Sequence, residues 1–178
     1  VAVTGYPGSA SAGLKMLTHG LNFAPETTDF LRRAHLQPQP RIAQGQLLVK
    51  RGVRAAIDIS DGLIADLDHL CRASKVGAVI TVDQVPIHPV VTAAFPEDSL
   101  DFALSGGEDY ELLFTASKET LKTVKAELEA SAGGVDCPVT IVGEITEEEG
   151  LSMLRTDGRP FHVDIKGWDH FEKGGVQY

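Results

Sequence analysis

Ala55-Ala56-Ile57-Asp58-Ile59-Ser60-Asp61-Gly62-Leu63 is the stretch that decides the fold. Ala55, Ile57 and Ile59 alternate with Ala56, Asp58 and Ser60, and a strand puts alternate residues on opposite faces, so Asp58 and Ser60 share one face. Asp61 and Gly62 break the strand. Leu63, Leu67, Leu70 and Ser74 then recur at helical spacing, with Asp66 and Asp68 turned elsewhere. Two carboxylates and a hydroxyl therefore collect where an apolar strand ends and a helix begins, which is where α/β sheets usually hold ligands. A carboxylate on a strand facing an apolar layer is costly unless it is paired or bound to a cation. Asp61 could also be only the N-cap of the helix, a role that leaves Asp58 unexplained.

Ser105-Gly106-Gly107-Glu108-Asp109 is a second cluster of the same kind, leading into an apolar strand over 110–115. Its glycines let the backbone come close to a ligand and permit unusual φ angles. Two glycines before two acids can also be only a tight turn with solvated charges. Gly167-Trp168-Asp169-His170-Phe171 carries the single tryptophan, which either plugs the core or stacks on a flat ligand.

Around these segments the pattern mixes strands and helices. Residues 1–4 read as a strand, 10–18 as a helix after a Gly-rich turn, and a second helix starts near Pro25. Gln37-Pro38-Gln39-Pro40 is an extended breaker, followed by a short helix over 42–49. Residues 76–82 form a Val/Ile-rich strand, 83–96 a proline-rich loop with at most short helices, and 99–104 a helix. A clear amphipathic helix spans 118–130, with Leu121, Val124 and Leu128 on one face and Gly133-Gly134 ending it. Strands follow over 139–142, 151–154 and 161–165, the last pair joined through Asp157-Gly158-Arg159, while Glu147-Glu148-Glu149 is a solvated turn. The expected class is α/β to α+β, one domain with a central mixed sheet of about six strands and helices packed on it.

The net charge of −9 argues against a nucleic-acid or anionic membrane partner, both of which need a basic face. It leaves room for a phosphate-bearing ligand held through metal ions or backbone N–H groups. No apolar run approaches the length needed to cross a bilayer, and no leader pattern opens the chain. Cys71 and Cys137 lie far apart without metal-binding spacing, so a reducing cytoplasm is the expected location. Gly8 and Gly13 suggest a P-loop, but Leu14 stands where Lys is required. The chain opens on Val1 already in strand, as a piece of a longer protein would.

The three quoted motifs, in this order, resemble the thiamine-monophosphate kinase family, and the opening Val3-Thr4-Gly5-Tyr6-Pro7-Gly8-Ser9-Ala10-Ser11-Ala12-Gly13-Leu14 is similar to it as well. That family shares a superfamily with aminoimidazole-ribonucleotide synthetase, selenophosphate synthetase and a hydrogenase maturation protein. The resemblance covers essentially the whole chain. It implies residues 1–178 as the C-terminal α/β domain of a longer kinase, whose N-terminal domain forms much of a homodimer and carries most metal-binding aspartates. It implies transfer of the ATP γ-phosphoryl to thiamine monophosphate with Mg2+. By position, Asp58 and Asp61 would bind Mg2+, Ser60 would touch ATP, and Glu108 and Trp168 would contact thiamine monophosphate. The family often has Thr and Asp where this chain has Tyr6 and Ser9, so the opening turn is given no ligand role.

The chemistry agrees with these residue types. Two polyanions must meet, and metal ions held by carboxylates bridge the phosphate oxygens and fix the geometry. No enzyme nucleophile is required. The cationic thiazolium suits a carboxylate and an aromatic face. Two other readings stay open: a superfamily member phosphorylating another acceptor, and a module that binds a nucleotide or a partner without catalysis.

Overall fold

Seven strands and seven α-helices are assigned among residues 1–130 and 137–162, the residues described by this computed structural model. In chain order they are β1 (Ala2–Thr4), α1 (Ser9–Thr18), α2 (Pro25–Leu36), α3 (Ile42–Lys50), β2 (Ala55–Asp58), α4 (Leu63–Ser74), β3 (Gly77–Thr81), α5 (Pro89–Ala94), α6 (Ser99–Ser105), β4 (Leu112–Thr115), α7 (Lys118–Ala130), β5 (Val139–Ile141), β6 (Gly143–Thr146) and β7 (Gly150–Leu154). A single 3-10 turn, Val82–Gln84, and the six-residue α5 are the short helices of the proline-rich segment.

The fold is α+β, as the mixed pattern implies, but the strands form two sheets where one sheet of about six strands was expected. The first has the order β2-β4-β1-β5 and is antiparallel throughout. The second has the order β6-β3-β7, with β3 antiparallel to β6 and parallel to β7. Val142 joins the sheets. Its N–H donates to Val1 O at 3.1 Å in the first, and its carbonyl accepts from Thr81 N at 2.8 Å in the second. The chain therefore leaves one sheet and enters the other across a single residue, and β6 is a strand that the sequence reading did not separate. The expected strand over 161–165 lies mostly outside the described residues. Its start is a Leu154–Pro160 bridge after the turn at 157–159.

Alternation in the first sheet divides the core. Val1, Val3 and Leu113 face α4 and α6 in a cluster with Ile59, Leu63, Leu67, Ala103 and Leu104 that continues to Ala78, Ile80 and Met153 of the second sheet. Ala2, Phe114 and Val139 face the opposite way, onto Leu48 of α3 and Leu121, Val124 and Leu128 of α7. Residues one apart in β1 and β4 thus belong to different clusters, the period-two signature of a sheet covered on both faces. A smaller cluster of Ala12, Met16, Leu31, Val91 and Phe95 fixes α1, α2 and α5. With β4 packed on both faces and β2 on its Ile57 face, the loops at their ends become the fixed points for any ligand.

Candidate active site

Alternation along β2 follows the sequence pattern. Ala55 and Ile57 are half-buried, Ala56 and Asp58 exposed, and Ile59 fully buried. One premise changes. Asp58 faces solvent rather than an apolar layer, so its carboxylate carries no burial penalty and is open to a ligand. Ser60 and Asp61 follow, both half-buried, and α4 begins with Gly62 as its N-cap.

Pairing of β2 with β4 continues past the strands into both loops. Ile59 N–H donates to Glu111 O at 2.7 Å, Tyr110 N–H to Ile59 O at 2.9 Å, and Glu108 N–H to Ser60 O at 2.9 Å. The two acidic motifs therefore run side by side. Two glycines permit it. A Cβ on Gly107 would lie 2.3 Å from Ser60 O, and one on Gly62, whose φ is 122°, would lie 2.8 Å from Ser105 O. Glu108 and Tyr110 adopt φ values of 69° and 52°, a left-handed geometry that costs energy for residues with a Cβ. Tyr110 Oη donates to Glu108 Oε2 at 3.1 Å. This bond raises the phenol's pKa most; the charges of Glu108, then Asp58 and Asp61, add to it. Asp58, Asp61 and Glu108 thus all act on one phenol, and the paired loops carry them at the same end of the sheet. Exposed and half-buried carboxylate oxygens suit a hard divalent cation. Trp168 lies outside the described residues.

Comparison with known families now has a geometry to rest on. Residues 3–155 match the family model described as AIR synthase related protein, C-terminal domain. The chain belongs to that family. Over 174 residues it is 42% identical to thiamine-monophosphate kinase of Escherichia coli strain K12, covering 96% of this chain and 52% of that protein. The thiamine-monophosphate kinase structure from Stenotrophomonas maltophilia K279a superposes with a TM-score of 0.78 at 33% identity, covering 90% of this chain and 50% of the other. A structure described as AaThiL complexed with AMPPCP and TMP gives a TM-score of 0.76 at 32% identity, covering 96% and 50%. The chain spans about half the length of the curated relatives it matches.

In this AIR synthase related domain the acids near the two motifs divide into outward and inward groups; of the inward ones, Asp109 lay in a quoted motif, while Asp66 and Glu111 were given no site role from the sequence. Asp66, read as turned away from the core stripe, is 1% exposed. Its Oδ2 accepts the N–H groups of Ser60, Asp61 and Gly62 at 3.0, 3.1 and 3.2 Å. Burial pushes its carboxyl pKa up against the pull of those donors. An acid in the first helical turn was the available signal. Glu111 is also buried. It accepts from Thr4 Oγ1 at 2.7 Å and takes a bidentate pair from Arg41 at 2.7 and 2.6 Å. A cavity of about 350 Å3 opens beside it, lined by Tyr6, Phe30, Arg33, His88 and Asp109 among others. Asp58, Ser60, Asp61 and Glu108 do not line that cavity; their site is the open surface at the loop ends.

Asp109 ties the second motif to the opening turn, accepting from Gly8 N–H at 2.6 Å and Ala10 N–H at 2.9 Å. Burial pushes its carboxyl up to about 7; the N–H donors of Ala10 and Gly8 oppose this and the nearby Glu111 charge adds to it. An unfolded Asp titrates near 3.9, so between about pH 4 and pH 7 the folded state binds the proton and the unfolded state does not. Stability from this group is full below that window and is lost as pH rises through it. In urea unfolding, the stability of wild type relative to Asp109→Asn should fall as pH rises across the window, then level. A difference constant with pH would show that Asp109 does not titrate there.

Proposed function

We propose that this domain is the C-terminal half of an ATP-dependent kinase that transfers the γ-phosphoryl of ATP to thiamine monophosphate, giving thiamine diphosphate. The observation that carries the reading is the 2.9 Å bond from Glu108 N–H to Ser60 O, which joins the loop of Asp58, Ser60 and Asp61 to the loop of Glu108. The 42% identity to a thiamine-monophosphate kinase supports the substrate assignment.

On this proposal Asp58 and Asp61 hold Mg2+, and Ser60 contacts ATP. Bound Mg2+ screens the repulsion between the two phosphate-bearing substrates and favours direct in-line transfer. Glu108, its carboxylate steadied by the Tyr110 phenol, offers negative charge to the thiazolium of thiamine monophosphate. Trp168 is assigned to the same substrate. None of these residues is given a nucleophilic role; they bind and orient. Further metal-binding aspartates and the contacts of a cytoplasmic homodimer belong to an N-terminal domain that this chain does not contain. No described helix is long and apolar enough to cross a membrane.

Positioning supplies most of phosphoryl-transfer catalysis, and one side of the site is present here. The full-length protein, assayed with ATP, Mg2+ and thiamine monophosphate, should form thiamine diphosphate. Residues 1–178 alone should form none above the blank. Product from the isolated chain would make the other domain dispensable. A full-length protein that prefers another phosphate acceptor, or transfers to none, would overturn the substrate or the catalytic assignment respectively.

A further inference from the structure

Three successive backbone N–H groups, those of Ser60, Asp61 and Gly62, converge on one oxygen, Asp66 Oδ2, at 3.0–3.2 Å. Such a run of N–H groups is a concave nest with affinity for anions, and at the start of a helix it is a common seat for phosphate. Here the chain's own buried carboxylate fills it. The nest is closed to a nucleotide phosphate, and the peptide groups of the loop are held facing inward toward Asp66. What the loop has left for a ligand is its side chains, Asp58 exposed and Ser60 and Asp61 half-buried.

We propose that Asp66 is the positioning residue of this loop: by occupying the nest it sets the backbone geometry that makes the outer surface a cation site rather than a phosphate seat. It acts through Ser60 and Asp61 and touches neither metal nor nucleotide. This inference rests on the assignment of Asp58 and Asp61 to Mg2+ made above. A direct role is the competing explanation, because ligand atoms of Asp61, Asp66 and His69 lie within 4.8 Å of one another. The second oxygen of Asp66 is 3.9 Å from His69 Nδ1.

The two roles make opposite demands on the side chain. Positioning needs an oxygen at the Oδ2 place and no charge. Ligation needs the charge. Asp66→Asn keeps the acceptor, and its amino group can take the place beside His69. Asp66→Glu keeps the charge but moves the acceptor by a methylene. Asp66→Ala removes both. In the full-length protein, Mn2+ affinity is read from the electron paramagnetic resonance signal of free Mn2+, with Asp61→Asn as reference. Hydrogen exchange of the 60–62 amides is read without metal.

Asp66→Asn should bind Mn2+ within about threefold of wild type and keep the three amides protected, whereas Asp66→Ala should lose about 10–100-fold in affinity. The Ala variant's 60–62 amides should exchange faster even in metal-free protein. Asp66→Glu should resemble Ala in both measurements, and it keeps the comparison available if the Ala variant fails to fold. Normal affinity in Glu with loss in Asn would make Asp66 a metal ligand and overturn the inference. Unchanged affinity in every folded Asp66 variant, while Asp61→Asn binds poorly, would also overturn it and leave the proposed metal site standing. Unchanged affinity in Asp61→Asn would remove Asp61 from the metal site, and this inference would fall with that assignment.

Discussion

On the proposed kinase function, Asp58→Asn in the full-length protein is expected to lower turnover by about a hundredfold or more, since removing one preorganised electrostatic group from a transferring phosphoryl commonly costs that much. The unfolding midpoint should barely move. Asp58 is exposed, and its backbone pairing with Leu112 does not depend on the side chain. The amide is nearly isosteric but offers a cation no charge. Raised Mg2+ should restore part of the rate if lost metal affinity is the defect. A variant with wild-type rate and wild-type Mg2+ dependence would take Asp58 out of the site.

Glu111→Ala should cost about 3–5 kcal/mol of stability, the usual consequence of removing one partner from a buried ion pair. Glu111 and Arg41 side chains are only 7% and 16% exposed, so water can replace little of what is lost. Arg41 loses both bonds of its bidentate pair, and Thr4 Oγ1, which accepts from Leu112 N–H at 2.8 Å, loses the acceptor for its own proton. Glu111→Gln should cost less, because its oxygen still accepts. The double change Glu111→Leu with Arg41→Met should recover much of the loss, as apolar replacements of buried pairs often do. Denaturant midpoints of the four proteins test this. A Glu111→Ala midpoint equal to wild type would show that the network carries no net stability.

What could be read in the sequence was what depends on neighbours in the chain. The alternation of Ala55 to Ile59, the helix from Leu63 and the strand before Thr115 are local periodicities, and the structure has each of them. The inward acids were hidden because their partners are far away. Asp109 meets Gly8 across 101 positions and Glu111 meets Thr4 across 107. Asp66 is closer to its partners, yet a helical wheel ranks it by its angle from the apolar stripe. Its burial is decided by three N–H groups of the preceding loop. The two-sheet architecture was hidden for a related reason. The run ending at Val142 looks like one strand stopped by Gly143, and only Val1 and Thr81 reveal that the backbone goes on in another sheet.

The order of the first sheet also has a kinetic consequence. β1 lies between β4 and β5, so among the described residues this strand pairs with segments at 112–115 and 139–141, more than a hundred positions later in the chain. At about 5–20 residues per second, synthesis leaves Val1, Ala2 and Val3 without sheet partners for roughly ten seconds. Contacts this distant in sequence also form slowly once the chain is complete. Until then the acidic loops have no fixed scaffold, because β4, which aligns Glu108 with Ser60, is itself an unpartnered apolar strand on its β1 side. Refolding from denaturant should therefore be limited by closure of β1 into the sheet, and protection of the 60–62 amides should return with that phase rather than with the earlier formation of helices.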